Sequence, residues 1–101
     1  MATHGMRAVH PGEILREEFL EPFELSPAVL ARALHVSAAT VNEIVRERRG
    51  ISADTAIRLG RYFNTSAQFW MNLQAGYSLA ATLAANGELI RQEVEPLKVK
   101  A

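Results

Sequence analysis

Three arginines, Arg46, Arg48 and Arg49, lie within four positions of one another near the middle of the sequence. A guanidinium group is planar, stays charged at physiological pH and binds phosphate or carboxylate oxygens through paired hydrogen bonds. Such a cluster therefore either binds an anion, for example the phosphates of a nucleic acid, or forms ion pairs at a solvated helix end. Charge alone leaves both interpretations open.

The charges are unevenly distributed along the chain. Its 101 residues carry 11 basic and 11 acidic side chains, so the formal net charge is zero. Residues 1–31 contain two arginines and five glutamates, whereas residues 32–61 contain six arginines, three acidic residues and no lysine. The basic middle favours anion recognition by guanidinium groups. The neutral total predicts weak non-specific binding to nucleic acid, because few phosphates are neutralised.

Length and composition indicate a single domain that spans residues 1–101, because a chain of this size supports one hydrophobic core. The sequence has no cysteine, which excludes disulfides and thiolate metal sites. It has no apolar run of 18 residues that would cross a membrane, and its mostly polar start lacks the apolar segment of a signal peptide. We therefore expect a cytoplasmic protein without a membrane contact.

Enzymatic chemistry is not indicated by the sequence. His4, His10 and His35 are scattered, and no two of them have the helical spacing of a metal site. The chain contains neither a glycine-rich phosphate loop nor a nucleophile elbow. We therefore predict no catalytic residue, no metal and no cofactor, and expect a protein that is not an enzyme.

Capping and breaking residues divide the chain into five predicted helices with no confident strand, so the predicted fold class is all-α. Four serines precede runs of helical periodicity, as N-caps do, and prolines mark the start and end of the first helix. The predicted helices cover about 11–20, 27–34, 38–47, a stretch from Ser52 to Asn64, and 67–86, with Gly50 ending the third and Asn86-Gly87 the fifth.

The short tail, residues 87–101, is ambiguous. Ile90, Gln92 and Val94 alternate like a strand, yet Glu88 to Val94 is equally compatible with a continued helix. Pro96 and the low apolar content favour a poorly ordered end.

Residues 27–47 have the layout of a helix-turn-helix, with two short helices, a tight turn and arginines at the end of the second helix. Four apolar positions meet the packing demands of this motif: Ala31 at the helix crossing, Val36 in the turn, and Val41 and Ile44 as anchors. His35 stands where glycine is common, and we expect it to tolerate a left-handed backbone at modest cost. An ordinary amphipathic helical hairpin is the alternative.

Residues 27–47 resemble the lambda-repressor-like helix-turn-helix, or Xre, family. Two flanking stretches, "HPGEILREEFLEPFELS" and "SADTAIRLGRYFNTSAQFWMNLQAGYSL", are similar to the HigA-type antitoxins of toxin–antitoxin systems. The similarity covers roughly residues 9–80. It implies a homodimer that represses its own operon by binding double-stranded operator DNA. It also implies a partner, a RelE-like toxin that cleaves mRNA.

In the usual docking geometry the second helix of the motif lies in the major groove, with its N-terminal half at the base edges and its far end near phosphates. Asn42 can grip adenine, and alanine or threonine methyl groups can meet the thymine methyl, which predicts an A·T-containing site read partly by shape. The predicted DNA-binding residues are Ser37, Ala38, Ala39, Thr40, Asn42, Glu43, Arg46 and Arg49.

Two features of this set have alternative explanations. Glu43 can accept a hydrogen bond from cytosine, but Glu43 and Glu47 can equally pair with Arg46 and its neighbours. Arg48 falls on the core-facing stripe by strict periodicity, so it can turn back to a carboxylate of its own domain.

A two-fold dimer also requires an inverted-repeat operator, with half-site centres about 34 Å apart or a multiple of that.

The fifth helix carries two neighbouring apolar stripes, one more than a small core buries. We assign the surplus stripe to a dimer interface formed by Trp70, Tyr77, Ala81 and Ala84. The alternative is that both stripes are buried within the chain by the first helix and the tail.

The surface that holds a toxin is not defined by the sequence. The acidic first helix, with Glu13, Glu17, Glu18 and Glu21, is the candidate by elimination, because RNA-cleaving toxins tend to be basic. Two other functions stay open: a stand-alone Xre-type regulator without a toxin, and a protein-interaction module that retains the fold but does not bind DNA.

Overall fold

The structure, a computed structural model, describes residues 7–99, which form five helices and no strand. The first helix, α1, begins as an α-helix over Pro11–Ile14 and continues as a π-helix over Leu15–Leu20. The other four are α2 (Pro27–Leu34), α3 (Ala38–Val45), α4 (Ala53–Phe63) and α5 (Ala67–Glu93). The predicted all-α, five-helix fold class is confirmed. No helix within residues 7–99 combines the length and apolar character needed to span a bilayer.

The predicted serine caps begin four of the helices. The hydroxyls of Ser26, Ser37, Ser52 and Ser66 each accept a hydrogen bond from the backbone N–H three residues further on, at 3.0–3.2 Å. Each bond satisfies an N–H that lacks a partner inside the helix. Because these bonds are local, the start of every helix from α2 to α5 agrees with the prediction.

The π-helical half of α1 was not predicted. The amide of Glu21 donates to the carbonyl of Arg16 at 3.0 Å, one residue further back than in an α-helix. Residues five positions apart point about 140° apart in an α-helix. The wider π-turn reduces this angle, which allows both Leu15 and Leu20 to enter the core.

The helix-turn-helix differs from the prediction at its end. The prediction that Gly50 ends α3 near Glu47 is wrong, because α3 ends at Val45 and Glu47 takes the left-handed conformation with φ 63°. The amide of Arg48 then donates to the carbonyl of Glu43 at 2.8 Å and closes the helix end. The left-handed conformation expected for His35 is confirmed, with φ 58°.

The fifth helix is longer than predicted. It continues through Gly87 to Glu93, so the prediction that it ends near Asn86-Gly87 is wrong. A single glycine costs a helix only about 1 kcal/mol, and the next turn is supported by an ion pair between Glu88 and Arg91. Residues 94–99 have no regular secondary structure.

The core lies where α1 and the start of α5 cover the helix-turn-helix and α4. Trp70 is at its centre and is completely buried, with ring contacts to Phe19, Phe63 and Phe69 at centroid distances of 5.0–6.4 Å. Its indole N–H donates to the Thr65 hydroxyl at 2.9 Å, so the one polar atom of the ring is satisfied.

The backbones of α1 and α3 approach each other at Gly12. A Cβ atom built there would lie 1.8 Å from the carbonyl oxygen of Ile44, far inside any permitted contact. Only a residue without a side chain fits, so Gly12 sets how closely α1 lies against α3.

We predict that Gly12→Ala lowers the free energy of unfolding by at least about 2 kcal/mol, because a backbone carbonyl cannot move aside as a side-chain tip does. Gly76→Ala is the matched control. A Cβ at Gly76 meets no atom within 4 Å, and alanine favours a helix interior by up to about 1 kcal/mol. Urea unfolding of both variants checks the contrast, and equal effects at the two positions would contradict the packing described.

Candidate nucleic-acid interface

The two helices of the motif are held together by the side chains that the sequence indicated. Leu30, Ala31 and Leu34 of α2 and Val41 and Ile44 of α3 are all buried. Val36 packs against this core from the turn and is half-buried. This packing buries one face of α3, so its opposite face lies at the surface.

The N-terminal end of α3 is the exposed part of the motif. Ser37, Ala38 and Ala39 are exposed, while Thr40 and Asn42 are half-buried. The two alanines leave the helix surface smooth, which allows another molecule to approach the backbone closely. The predicted base-reading residues therefore lie together on one accessible surface.

Arg49 folds back onto this surface. Its guanidinium donates to the Thr40 hydroxyl at 2.9 Å and forms an ion pair with Glu43 at 2.7 Å. The Thr40 hydroxyl also lies 2.8 Å from the Ser37 hydroxyl, so the four side chains form one connected network. A guanidinium has five N–H donors, and these contacts place it beside the exposed alanines while other donors still face solvent.

Asn42 and the two glutamates have partners within the chain. The Asn42 amide donates to the Ala38 carbonyl at 3.0 Å, one helical turn back, so its side chain must rotate before it can grip a base bidentately. Glu43 pairs with Arg49, and Glu47 pairs with Arg16 at 3.3 Å. The intramolecular alternative that the sequence left open for these glutamates is therefore what the structure contains, although neither partner is Arg46.

Arg46 and Arg48 are exposed, and no ion pair within residues 7–99 involves either of them. The suggestion that Arg48 faces the core is wrong because the helical periodicity stops at Val45, three residues earlier. Two guanidinium groups are thus available to an external anion directly after α3.

Arg16 positions α3 from a distance, and the sequence analysis missed it. One of its guanidinium nitrogens donates to the Val45 carbonyl at 2.5 Å, and the other lies 3.3 Å from Glu47. Arg16 thereby caps the C-terminal end of α3, where a positive charge also suits the helix dipole. The contact spans 29 positions of sequence, so no local pattern signals it.

Arg58 has the equivalent role for α2. It donates to the Leu34 carbonyl at 2.9 Å while Asp54 holds its Nε at 2.6 Å. The arginines at positions 16 and 58 therefore fix the C-terminal ends of the two helices of the motif. Neither belongs to the set predicted to touch DNA.

His10 fixes the start of α1. It is 3% exposed, its Nδ1 accepts from the Gly12 amide at 2.9 Å, and its ring meets the edge of Tyr77 at 4.7 Å. Burial lowers the pKa of His10, with an opposing contribution from the Glu47 charge. The neutral ring is the form that this cap requires, because a protonated Nδ1 cannot accept.

The predicted dimer residues occupy three different environments. Trp70 is wrong as an interface residue, because the core of its own chain buries it completely. Tyr77 and Ala81 are half-buried, Tyr77 against His10, and Ala84 is exposed. The large apolar residues that α5 exposes are Phe69 near its start and Leu79, Leu83, Leu89 and Ile90 further along.

The chain belongs to the helix-turn-helix family, whose model matches residues 17–70. Virulence-associated protein I of Dichelobacter nodosus is 64% identical over 74 residues, 73% of this chain and 68% of that protein. Antitoxin HigA-1 of Vibrio cholerae is 34% identical over 73 residues, 72% of this chain and 69% of that protein. Within the helix-turn-helix family the chain is of the HigA antitoxin type, as its sequence predicted.

Solved structures agree with this placement. The Pseudomonas aeruginosa antitoxin HigA, solved with the higBA promoter, is 73% identical and superimposes with a TM-score of 0.89, covering 91% of this chain and 100% of that chain. Antitoxin GraA, solved in complex with its operator, is 46% identical with a TM-score of 0.88, covering 98% of this chain and 100% of that chain.

Proposed function

We propose that this chain is a cytoplasmic antitoxin that binds a palindromic operator as a homodimer, represses its own toxin–antitoxin operon and neutralises a RelE-like mRNA-cleaving toxin. The observation that carries the DNA-binding part is the surface at the start of α3, smooth at Ala38 and Ala39 and bordered by Arg49. The operator-bound structures of the similar antitoxins HigA and GraA support the same assignment.

In this proposal α3 enters the major groove with its N-terminal half at the base edges. Ala38, Ala39 and Thr40 meet thymine methyl groups, and Asn42 leaves the Ala38 carbonyl to grip an adenine. The Ser37 hydroxyl and the first amides of α3 approach a phosphate. Glu43 holds Arg49 in place in the free protein, and reading of cytosine by Glu43 would require that ion pair to open.

The arginines that follow α3 supply the sequence-independent affinity. Arg46 is free of ion pairs within residues 7–99, and Arg49 keeps unused donors beyond its contacts with Thr40 and Glu43. Bidentate guanidinium–phosphate contacts suit both positions. In a neutral chain these few charges account for most of the attraction to DNA, so their removal is measurable as a change in salt dependence.

The homodimer is proposed to form through the distal half of α5. Beyond Ala81, every residue up to 99 is exposed except Gly87, which leaves a long helical segment without a packing partner. Isolated helices of this length are marginal in water. Leu79, Leu83 and Ile90 recur at four- and seven-residue spacing and form one exposed apolar face. A second copy of this helix would cover that face.

The toxin partner rests on similarity to proteins named as antitoxins, including HigA-1 of Vibrio cholerae. A stand-alone regulator without a toxin is the second candidate function. It is favoured because the surface described above is assigned to DNA binding, which does not require a toxin. The two candidates differ in whether a toxin gene lies next to the gene for this chain.

For DNA binding, we predict that one substitution changes sequence specificity and another changes salt dependence. Asn42→Ala should cost about 1–3 kcal/mol on the correct operator and relax the preference at one base pair, with scrambled DNA bound as before. Arg49→Ala should weaken binding to correct and scrambled duplexes alike, and lower the slope of log affinity against log salt by about one per lost phosphate contact, hence about two per dimer.

Fluorescence anisotropy over a salt series measures both effects. Lys98→Ala is the control, because that lysine lies in the exposed tail, outside both α3 and the proposed dimer helix. If Asn42→Ala alters the salt slope and Arg49→Ala does not, the two roles are reversed. If the wild-type chain binds no duplex in a salt-dependent manner, the chain is an interaction module instead.

For assembly, we predict that Leu83→Glu separates the dimer, because it places a charge in an apolar contact. Truncation or charging of an interface anchor costs up to a few kcal/mol. Leu97→Glu, in the exposed tail, is the matched control and should leave the dimer intact. Sedimentation velocity measures the oligomeric state of both variants. An unchanged dimer in Leu83→Glu would remove α5 as the interface.

For the toxin, we predict that the gene adjacent to the gene for this chain encodes a small basic protein that arrests growth when expressed alone. Co-expression of this chain should restore growth, and the two proteins should elute together on size-exclusion chromatography. Growth arrest without rescue, or an adjacent product without toxicity, would favour the stand-alone regulator.

A further inference from the structure

An aromatic groove lies between the α1–α2 loop and the end of α4. It is lined by Phe23, Leu25, Tyr62 and Phe63 and has a volume of about 400 Å³. Phe23 is 61% exposed and Tyr62 is 43% exposed. Large aromatic side chains left at the surface in a group are typical of protein-interaction sites rather than of a solvated loop. None of these residues belongs to the candidate DNA-binding set.

The loop holds Phe23 in place. Its ring stacks on Phe63, with centroids 6.1 Å apart and planes 17° apart. Glu24 adopts the left-handed conformation with φ 53°, and the Leu25 amide donates back to the Leu20 carbonyl at 2.9 Å. A side chain fixed before binding loses little conformational entropy when a partner covers it.

The loop beside the groove is acidic. Glu24 follows Phe23 directly, and Glu21 and Glu24 line a neighbouring pocket that shares Leu25 with the groove. Both glutamates are exposed, and no ion pair of the described residues includes either of them. Of the other glutamates of residues 1–31, Glu13 is buried against Arg7, Glu17 contacts Arg16, and Glu18 lines a different pocket beside Phe69. The acidic surface that the sequence assigned to the whole first helix is therefore confined to its end and the following loop.

The negative charge beside the groove favours some binding partners over others. Two copies of the groove facing each other would bring like charges together, which disfavours self-association. DNA would be repelled for the same reason. A protein that cuts RNA must itself bind a polyanion and therefore presents a basic surface.

We propose that this aromatic groove, together with the acidic loop beside it, is the docking surface for the toxin, with an apolar side chain of the toxin entering beside Phe23 while lysines or arginines meet Glu21 and Glu24. The proposal rests on the proposed antitoxin function. It assigns toxin binding and DNA binding to separate residues, so that substitutions can remove one and retain the other.

The test uses the purified product of the adjacent toxin gene, in an inactive form, and this full-length chain. Phe23→Ala should weaken toxin binding about tenfold or more, as expected for an aromatic anchor. Glu21→Lys combined with Glu24→Lys should slow association about tenfold at low salt, with a smaller effect at high salt. Leu97→Ala and Glu95→Lys, both in the exposed tail, are the matched controls and should bind like the wild type.

Operator affinity, circular dichroism and sedimentation are recorded for every variant, so that loss of the fold or of the dimer is recognised. Selective loss of toxin binding supports the proposal. Wild-type toxin affinity in both groove variants overturns it and leaves the antitoxin function intact. Conversion of Phe23→Ala to a monomer also overturns it, since the groove would then join two copies of this chain. If the wild-type chain does not bind the toxin at all, the proposed antitoxin function itself fails.

Discussion

The orientation of the recognition surface depends on the close contact between α1 and the C-terminal end of α3. Gly12 lies directly against the Ile44 carbonyl, and the Arg16 guanidinium caps the next carbonyl, that of Val45. An eight-residue helix is too short to persist by itself in water. The contact at Gly12 sets the distance between α1 and α3, and the hydrogen bond from Arg16 satisfies a carbonyl at the end of α3. Together they hold α3 and the arginines after it in a defined position.

A formally neutral chain can present surfaces of both signs because only about half of the charged side chains of residues 7–99 form ion pairs with one another. The pair Arg7–Glu13 ties the segment before α1 to that helix, Arg16–Glu47 links α1 to the residues after α3, and Arg58–Asp54 lies within α4. The charges outside these pairs include Arg46 and Arg48 after α3 and Glu21 and Glu24 in the loop that follows α1. At physiological ionic strength charges act over about 8 Å, so the two surfaces do not cancel each other.

Features of the fold that depend on residues close together in sequence could be predicted, whereas features that depend on residues far apart in sequence could not. The serine caps, the left-handed His35 and the exact extent of α2 depend on neighbours within a few residues, and all were predicted. Arg16 and the burial of Trp70 depend on packing between elements distant in sequence, so periodicity misassigned Trp70 to a dimer surface and gave no signal for Arg16. The end of α5 was missed because a glycine in an exposed helix is a weak stop signal.

The placement of two copies of α3 in successive major grooves of one operator is the central feature of the proposed complex. Base-analogue interference tests this feature, since 7-deazaadenine lacks the N7 acceptor of adenine and uracil lacks the methyl group of thymine, both of which face the major groove. Two clusters of interfering positions related by two-fold symmetry are expected, with centres about one helical turn, roughly 34 Å, or a multiple of it apart. A single unpaired cluster, or no interference from either analogue, would contradict it.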